Sequence, residues 1–371
     1  MDTLLDWLTL SHIPGLGPAS GRRLIDLFGG PWAVLNAGHS DLLKVPGIKK
    51  EVVEGVKSAL ARKQAEKELL LAERLGVTII VWADPIYPAN LRTIHDPPFL
   101  LYVKGSLLAQ DRLGVAIVGA RKATDYGLSV AERISGRLAK AGITIISGLA
   151  AGIDTAAHCG ALASGGRTIA VLGCGLDRVY PANNIQLYKE IALRGAIVSE
   201  YPFGTKPEPW RFPVRNRIIS GLALGVVVVE AGVYSGSLIT ANLALEQGRE
   251  VFAIPGRVDS KNSEGTHGLL QQGAKLVQTE DDILEELHIY MPGTCQTDPS
   301  SRATPIPDVE ERMVFEFLDV YPKNVDEIIA GLKQPAQKIN ELLLRLELAG
   351  FISVLPGRLY QKKENLKRDH A

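Results

Sequence analysis

VAIVGARKATDYGLSVAERISGRLAKAGITIISGLAAGIDTAAHCGALASGGRTIAVLG, residues 115–173, alternates short runs rich in Val and Ile with longer segments of mixed polarity. The short runs VAIVG, ITIISG and TIAVLG are apolar throughout instead of alternating, as strands buried on both faces are. The segments between them predict helices near 126–141 and 154–164. The pattern continues with a helix at 183–194, AIVSE at 196–200, a helix at 214–223, VVVVE at 226–230, a helix at 237–247 and VFAIPG at 251–256. Strands and helices in strict alternation imply a parallel sheet covered on both faces, a Rossmann-like α/β fold from about 113 to 290.

The flanks differ. Residues 1–75 read as a helical helix-hairpin-helix or SAM-like domain, punctuated by Ile13-Pro14-Gly15-Leu16-Gly17 and Val45-Pro46-Gly47-Ile48. A glycine hairpin of this kind can bring N–H groups to a DNA phosphate without regard to sequence. The second copy carries Lys49 where the second glycine would stand. A bridging segment with one strand, VTIIVW, joins this region to the α/β pattern, so the extended Rossmann-like domain runs over 76–290. Residues 291–307 are a Pro/Ser/Thr-rich linker. Residues 308–371 predict three helices (310–319, 325–331, 335–349), a hairpin with Pro-Gly at its tip, and a basic tail: a winged helix-turn-helix. Between 308 and 360 there are six basic and nine acidic residues. That balance repels a duplex and favours protein contact for this module.

The 371 residues carry 41 Lys+Arg and 41 Asp+Glu, so any polyanion must be held by a local patch and not by bulk charge. Three cysteines without C-x-x-C spacing argue against a disulfide framework or a cysteine-rich metal site, and fit a reducing cytoplasm. The N-terminus has no basic n-region, and no apolar run approaches the roughly 20 residues that span a bilayer. Neither a metal nor a cofactor is expected.

Ligands of a doubly wound sheet bind outside the carboxyl ends of its strands. The loops there begin at Gly119-Ala120-Arg121-Lys122, at Ser147-Gly148, at Gly173, at Glu200, at Glu230 and at Pro255. The richest run is 212–241: Arg215-Asn216-Arg217, a buried strand, then Ser235-Gly236-Ser237 opening a helix. Guanidinium groups, small side chains and N–H groups at a helix start suit an anion with several oxygens. Lys206, Arg211, Arg215 and Arg217 face only Glu208 between 201 and 217. Simpler readings stand beside these. Gly119 and Gly148 could be tight turns, Ser235 an N-cap, Asp154 a cap of its helix and His158 a hydrogen-bonded packing residue. Arg217 could pair with Glu200 or Glu230. Gly173-Cys174-Gly175 lacks the third glycine of a dinucleotide fingerprint, and no Walker, G-x-S-x-G or H-E-x-x-H motif occurs.

YPANLRTIHDPPFLLYVKG, VAIVGARKAT, ISGLAAGIDTAAH, VLGCGLDRVYPANN, SEYPFG, FPVRNRIISGL, VVVEAGVYSGSLITANLALEQGREVFAIPG and EGTHGLLQQGAKLV follow in order over about 85–280. In these motifs the chain resembles the DNA-processing protein A (DprA/Smf) family of DNA-protecting proteins. His267 stands where the family often has Asn. The resemblance implies a cytoplasmic, non-enzymatic single-stranded DNA-binding protein. It also implies a homodimer through the Rossmann-like domain, and loading of RecA recombinase onto strands shared with single-strand-binding protein during natural transformation. The DNA contacts it implies are Gly119, Arg121, Lys122, Gly148, Arg215, Asn216, Arg217, Ser235, Gly236 and Ser237. Phe203 and Trp210 are candidates for base stacking, whereas Phe212 is expected to be buried.

Two other functions compete. A nucleotide N-glycosidase related to the lysine-decarboxylase-like phosphoribohydrolases would need a glutamate where Thr240 stands, so its general acid–base group is missing at that spacing. A winged-helix transcription factor with an α/β sensor is opposed by the acidic C-terminal module.

Overall fold

The computed structural model describes residues 3–289, 309–319, 322–349, 351–355, 357 and 359–362. The expected linker and basic tail lie outside the described residues. Two compact units divide the chain, 1–291 and 292–371.

The first unit is built on nine strands: β1 (Thr78–Val81), β2 (Leu100–Gly105), β3 (Gly114–Val118), β4 (Thr144–Ser147), β5 (Thr168–Val171), β6 (Ala196–Ser199), β7 (Gly225–Val228), β8 (Glu250–Ala253) and β9 (Lys275–Leu276). Their spatial order is β1-β2-β6-β5-β4-β3-β7-β8-β9. From β6 to β9 every pairing is parallel, while β2 runs antiparallel to both β1 and β6. All residues of β3 to β7 are buried, as continuous apolar runs require. The chain winds outward from β3 through β4 and β5 to β6, then returns to place β7 on the other side of β3. The strand order therefore reverses between β3 and β7, and a crevice opens there.

One face of the sheet buries Ile218, Ile219, Leu222, Ala241 and Ala244 of helices Arg211–Leu222 and Gly236–Glu246. The opposite face buries Val130, Ile134, Leu138, Ala157 and Ala161 of helices Asp125–Lys140 and Ile153–Ala163. The predicted helices agree with these spans to within a residue or two, except that Arg211–Leu222 starts three residues earlier than expected. Pro213 falls in its first turn, where a missing N–H costs no intrahelical bond. The run Leu100–Gly105, which the sequence shows only as part of a bridge, is strand β2 because the edge of β6 offers it a ladder.

The N-terminal helices enclose a core of their own around Leu10, Leu24, Val34, Leu42 and Val53. Trp7, Leu8, Ala65 and Ala72 join Ile79, Tyr102 and Ile197 in a core shared with the sheet. The two glycine hairpins have matching backbones. Gly15 and Gly47 take φ of 77° and 82°, and Leu16 N and Ile48 N each donate over 3.2 Å to the carbonyl three residues back. Gly17 and Lys49 are the following N-caps at φ −80° and −84°. Any residue adopts that angle, so Lys49 leaves the second hairpin intact.

In the second unit, helices Val309–Phe317, Val325–Leu332 and Ala336–Leu348 pack on a small antiparallel sheet formed by 323–324, 352–355 and 359–362. This is a winged helix. Lys338 pairs with Glu310, and Arg345 with Glu341 over 2.6 Å. Its third helix thus presents compensated charge. Among the described residues no helix is long and apolar enough to cross a membrane.

Candidate nucleic-acid interface

At the β3/β7 reversal lies a cleft of about 350 Å³. The loop after β3 brings Gly119 and Arg121 to it, and the turn after β7 brings Ser235, Gly236 and Ser237. Helix Arg211–Leu222 supplies Phe212, Arg215, Asn216 and Ile219. These four stand at i, i+3, i+4 and i+7, one helical face.

Arg217 is not among them. Two residues on a helix turn the side chain by about 200°, so Arg217 leaves on the far side from Arg215. It is 6% exposed. Its Nε donates to Asp96 over 2.9 Å and its Nη2 to Glu200 over 2.6 Å. Of the partners considered for it, Glu200 is the real one. Glu230 instead accepts from Thr124 N over 2.9 Å, from the Thr124 hydroxyl, and from Asn262 Nδ2 over 3.4 Å. It fastens the β3 loop to the end of β7. Arg217, expected as a DNA contact, therefore does not line the cleft, and its guanidinium is paired with two carboxylates within the fold.

Arg215 is 4% exposed. Its Nη1 donates to the carbonyls of Gly148, over 2.8 Å, and Val171. Burial lowers its pKa to about 10, with nearby Asp154 opposing the shift. A desolvated guanidinium held by carbonyls gains from an incoming anion. Gly148 does not line the cleft, but a Cβ there would lie 2.5 Å from Arg215 Nη1. The glycine is required for Arg215 to sit where it does. Likewise a Cβ at Gly119 would lie 2.7 Å from Ile153 Cγ1 and 2.9 Å from the Glu230 carbonyl.

Arg121 is exposed, and its guanidinium lies 5.4 Å from the Phe212 ring centroid. The same ring has Arg215 at 5.9 Å and Tyr180 at 5.5 Å. Phe212 is half-buried and aligns both guanidinium groups, a role that the expectation of a buried ring missed. Lys122 is exposed beside Arg121. Ser235 caps helix Gly236–Glu246 by accepting from Ser237 N over 3.4 Å, and the two hydroxyls meet at 2.7 Å. The helix start adds N–H groups and a partial positive charge to the cleft.

Trp210 is 56% exposed, with Arg211 stacked 4.4 Å from its ring centroid. Phe203 packs edge-on against Tyr102 at 5.2 Å, within the core shared with the N-terminal helices. Phe203 is half-buried and packs on that core, whereas Trp210 stands open beside the cleft.

Asp154 lines the cleft as well. The N-cap of its helix is Gly152, so Asp154 does not cap it. Its Oδ2 accepts from Gly148 N over 3.1 Å and Ala150 N over 3.4 Å, pinning the preceding loop. Burial raises its pKa against the pull of Arg215. Thr240 Oγ1 faces its own helix, 3.5 Å from the Gly236 carbonyl.

His158 is fully buried, with Nδ1 2.7 Å from Thr168 Oγ1. Burial drops its pKa from 6.5 to about 3. The unfolded chain therefore binds one more proton than the folded chain between those values. Stability is full above pH 6.5 and falls by up to about 1.4 kcal/mol per pH unit below it. Denaturant titrations at pH 7 and pH 5 should show this loss, and His158→Gln should flatten it.

A doubly wound sheet with an arginine-lined cleft at its switch point, joined in sequence to a winged helix, defines a two-part α/β class of protein. The chain belongs to the DNA recombination-mediator protein A family, whose pattern matches residues 78–288, and the DprA winged helix domain matches 298–358. It is 41% identical to Protein Smf of Escherichia coli over 305 residues, covering 80% of each chain. It is 48% identical to DNA processing protein DprA of Streptococcus pneumoniae over 203 residues, covering 55% of this chain and 72% of that one. The crystal structure of the pneumococcal protein superposes with a TM-score of 0.67 at 38% identity, covering 77% of this chain and 98% of that one. DNA processing protein A of Helicobacter pylori, whose structure addresses its single-stranded DNA binding mode, gives a TM-score of 0.52 at 33% identity, covering 57% of this chain and 95% of that one. Membership makes the chain a DNA-processing recombination mediator.

Proposed function

We propose that this protein binds single-stranded DNA by its backbone and mediates loading of RecA recombinase onto strands coated by single-strand-binding protein, as in natural transformation. The observation that carries the reading is the convergence of Arg121, Arg215 and the Ser235–Ser237 helix start on one cleft at the strand-order reversal. Such a cleft grips phosphate without reading bases. The family membership, and the single-stranded DNA binding mode addressed in the Helicobacter pylori relative, support reading that phosphate as part of a strand.

The reading is non-enzymatic. Asp154 is occupied by two backbone N–H groups, and the position a glycosidase would give to glutamate is Thr240. It includes a homodimer through the Rossmann-like domain, which light scattering measures. The test is RecA filament assembly on strands pre-coated with single-strand-binding protein. Adding this protein should remove most of the lag before assembly, and Arg121→Ala should restore it. An unchanged lag with wild-type protein refutes the loading role.

A further inference from the structure

Beside the cleft stands a large aromatic side chain with no structural task. Tyr234 is 100% exposed and Val233 54%. They are the two central residues of a tight turn closed by Ser235 N donating to the Gly232 carbonyl over 3.0 Å. Such positions normally carry Gly, Asn, Asp or Ser. The turn is fixed at both ends. Ala231 N donates to the Asn262 carbonyl over 2.7 Å, and Ser235 is the N-cap of the next helix. A rigid turn therefore displays an unpacked ring one residue before the serine that lines the cleft.

A second exposed ring stands near the cleft. Pro209, Phe212 and Pro213 line it, and Trp210, between them in sequence, has Arg211 on its ring and 56% of its surface open. With phosphates held in the cleft, bases directed away from it would meet rings standing at its edge. Every base has a π-face, so an aromatic ring there adds affinity without sequence preference.

We infer that Tyr234 is a base-stacking platform for the nucleotide whose phosphate rests on Ser235–Ser237. This rests on the single-strand reading above. The test compares wild type, Tyr234→Ala and Tyr234→Phe on a dT oligomer and on an abasic oligomer of equal length. Tyr234→Ala should weaken dT binding about tenfold, leave abasic binding unchanged and leave the salt dependence unchanged, while Tyr234→Phe keeps full affinity. Equal dT affinity for wild type and Tyr234→Ala overturns the platform, as does an equal loss on both oligomers. If Arg121→Ala still weakens binding in that case, the single-strand reading survives and Tyr234 alone is excluded. Failure of wild-type protein to bind either oligomer removes both.

Discussion

Arg217→Ala should lower folding stability by about 3–5 kcal/mol, because it strips the partner from a carboxylate buried with it. The Glu200 side chain is 13% exposed and that of Arg217 7%, with 2.6 Å between them. Burial pushes the Glu200 carboxyl up, and Arg217 is what holds it back. Without the guanidinium, Glu200 must either stay charged in an apolar setting or take up a proton. Arg217→Lys should recover only part of the loss, since one ammonium cannot reproduce the fork that spans Asp96 and Glu200. The double variant Arg217→Met with Glu200→Gln should be more stable than Arg217→Ala alone. Urea titrations measure all three. The loss is one of fold and not of grip: at low temperature, the folded fraction of Arg217→Ala should bind single strands with wild-type affinity.

Arg215→Ala should have the complementary effect, weakening strand binding by about 1.5–3 kcal/mol, roughly 10- to 150-fold, as loss of a buried charged hydrogen bond to phosphate does. Arg215 is held by the Gly148 and Val171 carbonyls and makes no ion pair among the described residues, so its charge is available to a ligand. Arg121→Ala should give a smaller loss without any stability change, since Arg121 is exposed and rests on the Phe212 ring. Both losses should be the same on dT and mixed sequences, because phosphate contacts carry no base information. Fluorescence anisotropy with labelled oligomers reads both.

The contrast between Arg215 and Arg217 shows how far the sequence could be read. Continuous Val/Ile runs announce β3 to β8 because a strand buried on both faces tolerates nothing else. The loops holding Gly119, Arg121 and Ser235–Ser237 follow directly from those strands. What stayed hidden was the start of helix Arg211–Leu222, masked by Pro207, Pro209 and Pro213. With the start placed at 214, Arg215 and Arg217 both sit in a loosely oriented first turn and look equivalent. With it at Arg211, the i, i+3, i+4 spacing selects Phe212, Arg215 and Asn216 and sends Arg217 to the opposite side. The packing of Phe203 on Tyr102 is not legible for another reason: Tyr102 lies on β2, a strand that precedes it by about a hundred residues and reads only as part of the bridge. Asp154 reads as a cap in sequence because helix starts favour Asp, yet Gly152 at φ 80° makes the turn and frees Asp154 to brace the cleft.

The most direct test of the account is the salt dependence of binding to a dT oligomer between about 50 and 200 mM salt, for wild type and Arg121→Ala. The account predicts affinity that falls steeply with salt in the wild type, and a slope shallower by about 0.7 in Arg121→Ala, the share of one single-strand phosphate contact. Identical slopes and affinities for the two proteins, both folded, would contradict the claim that the β3/β7 cleft grips a DNA backbone.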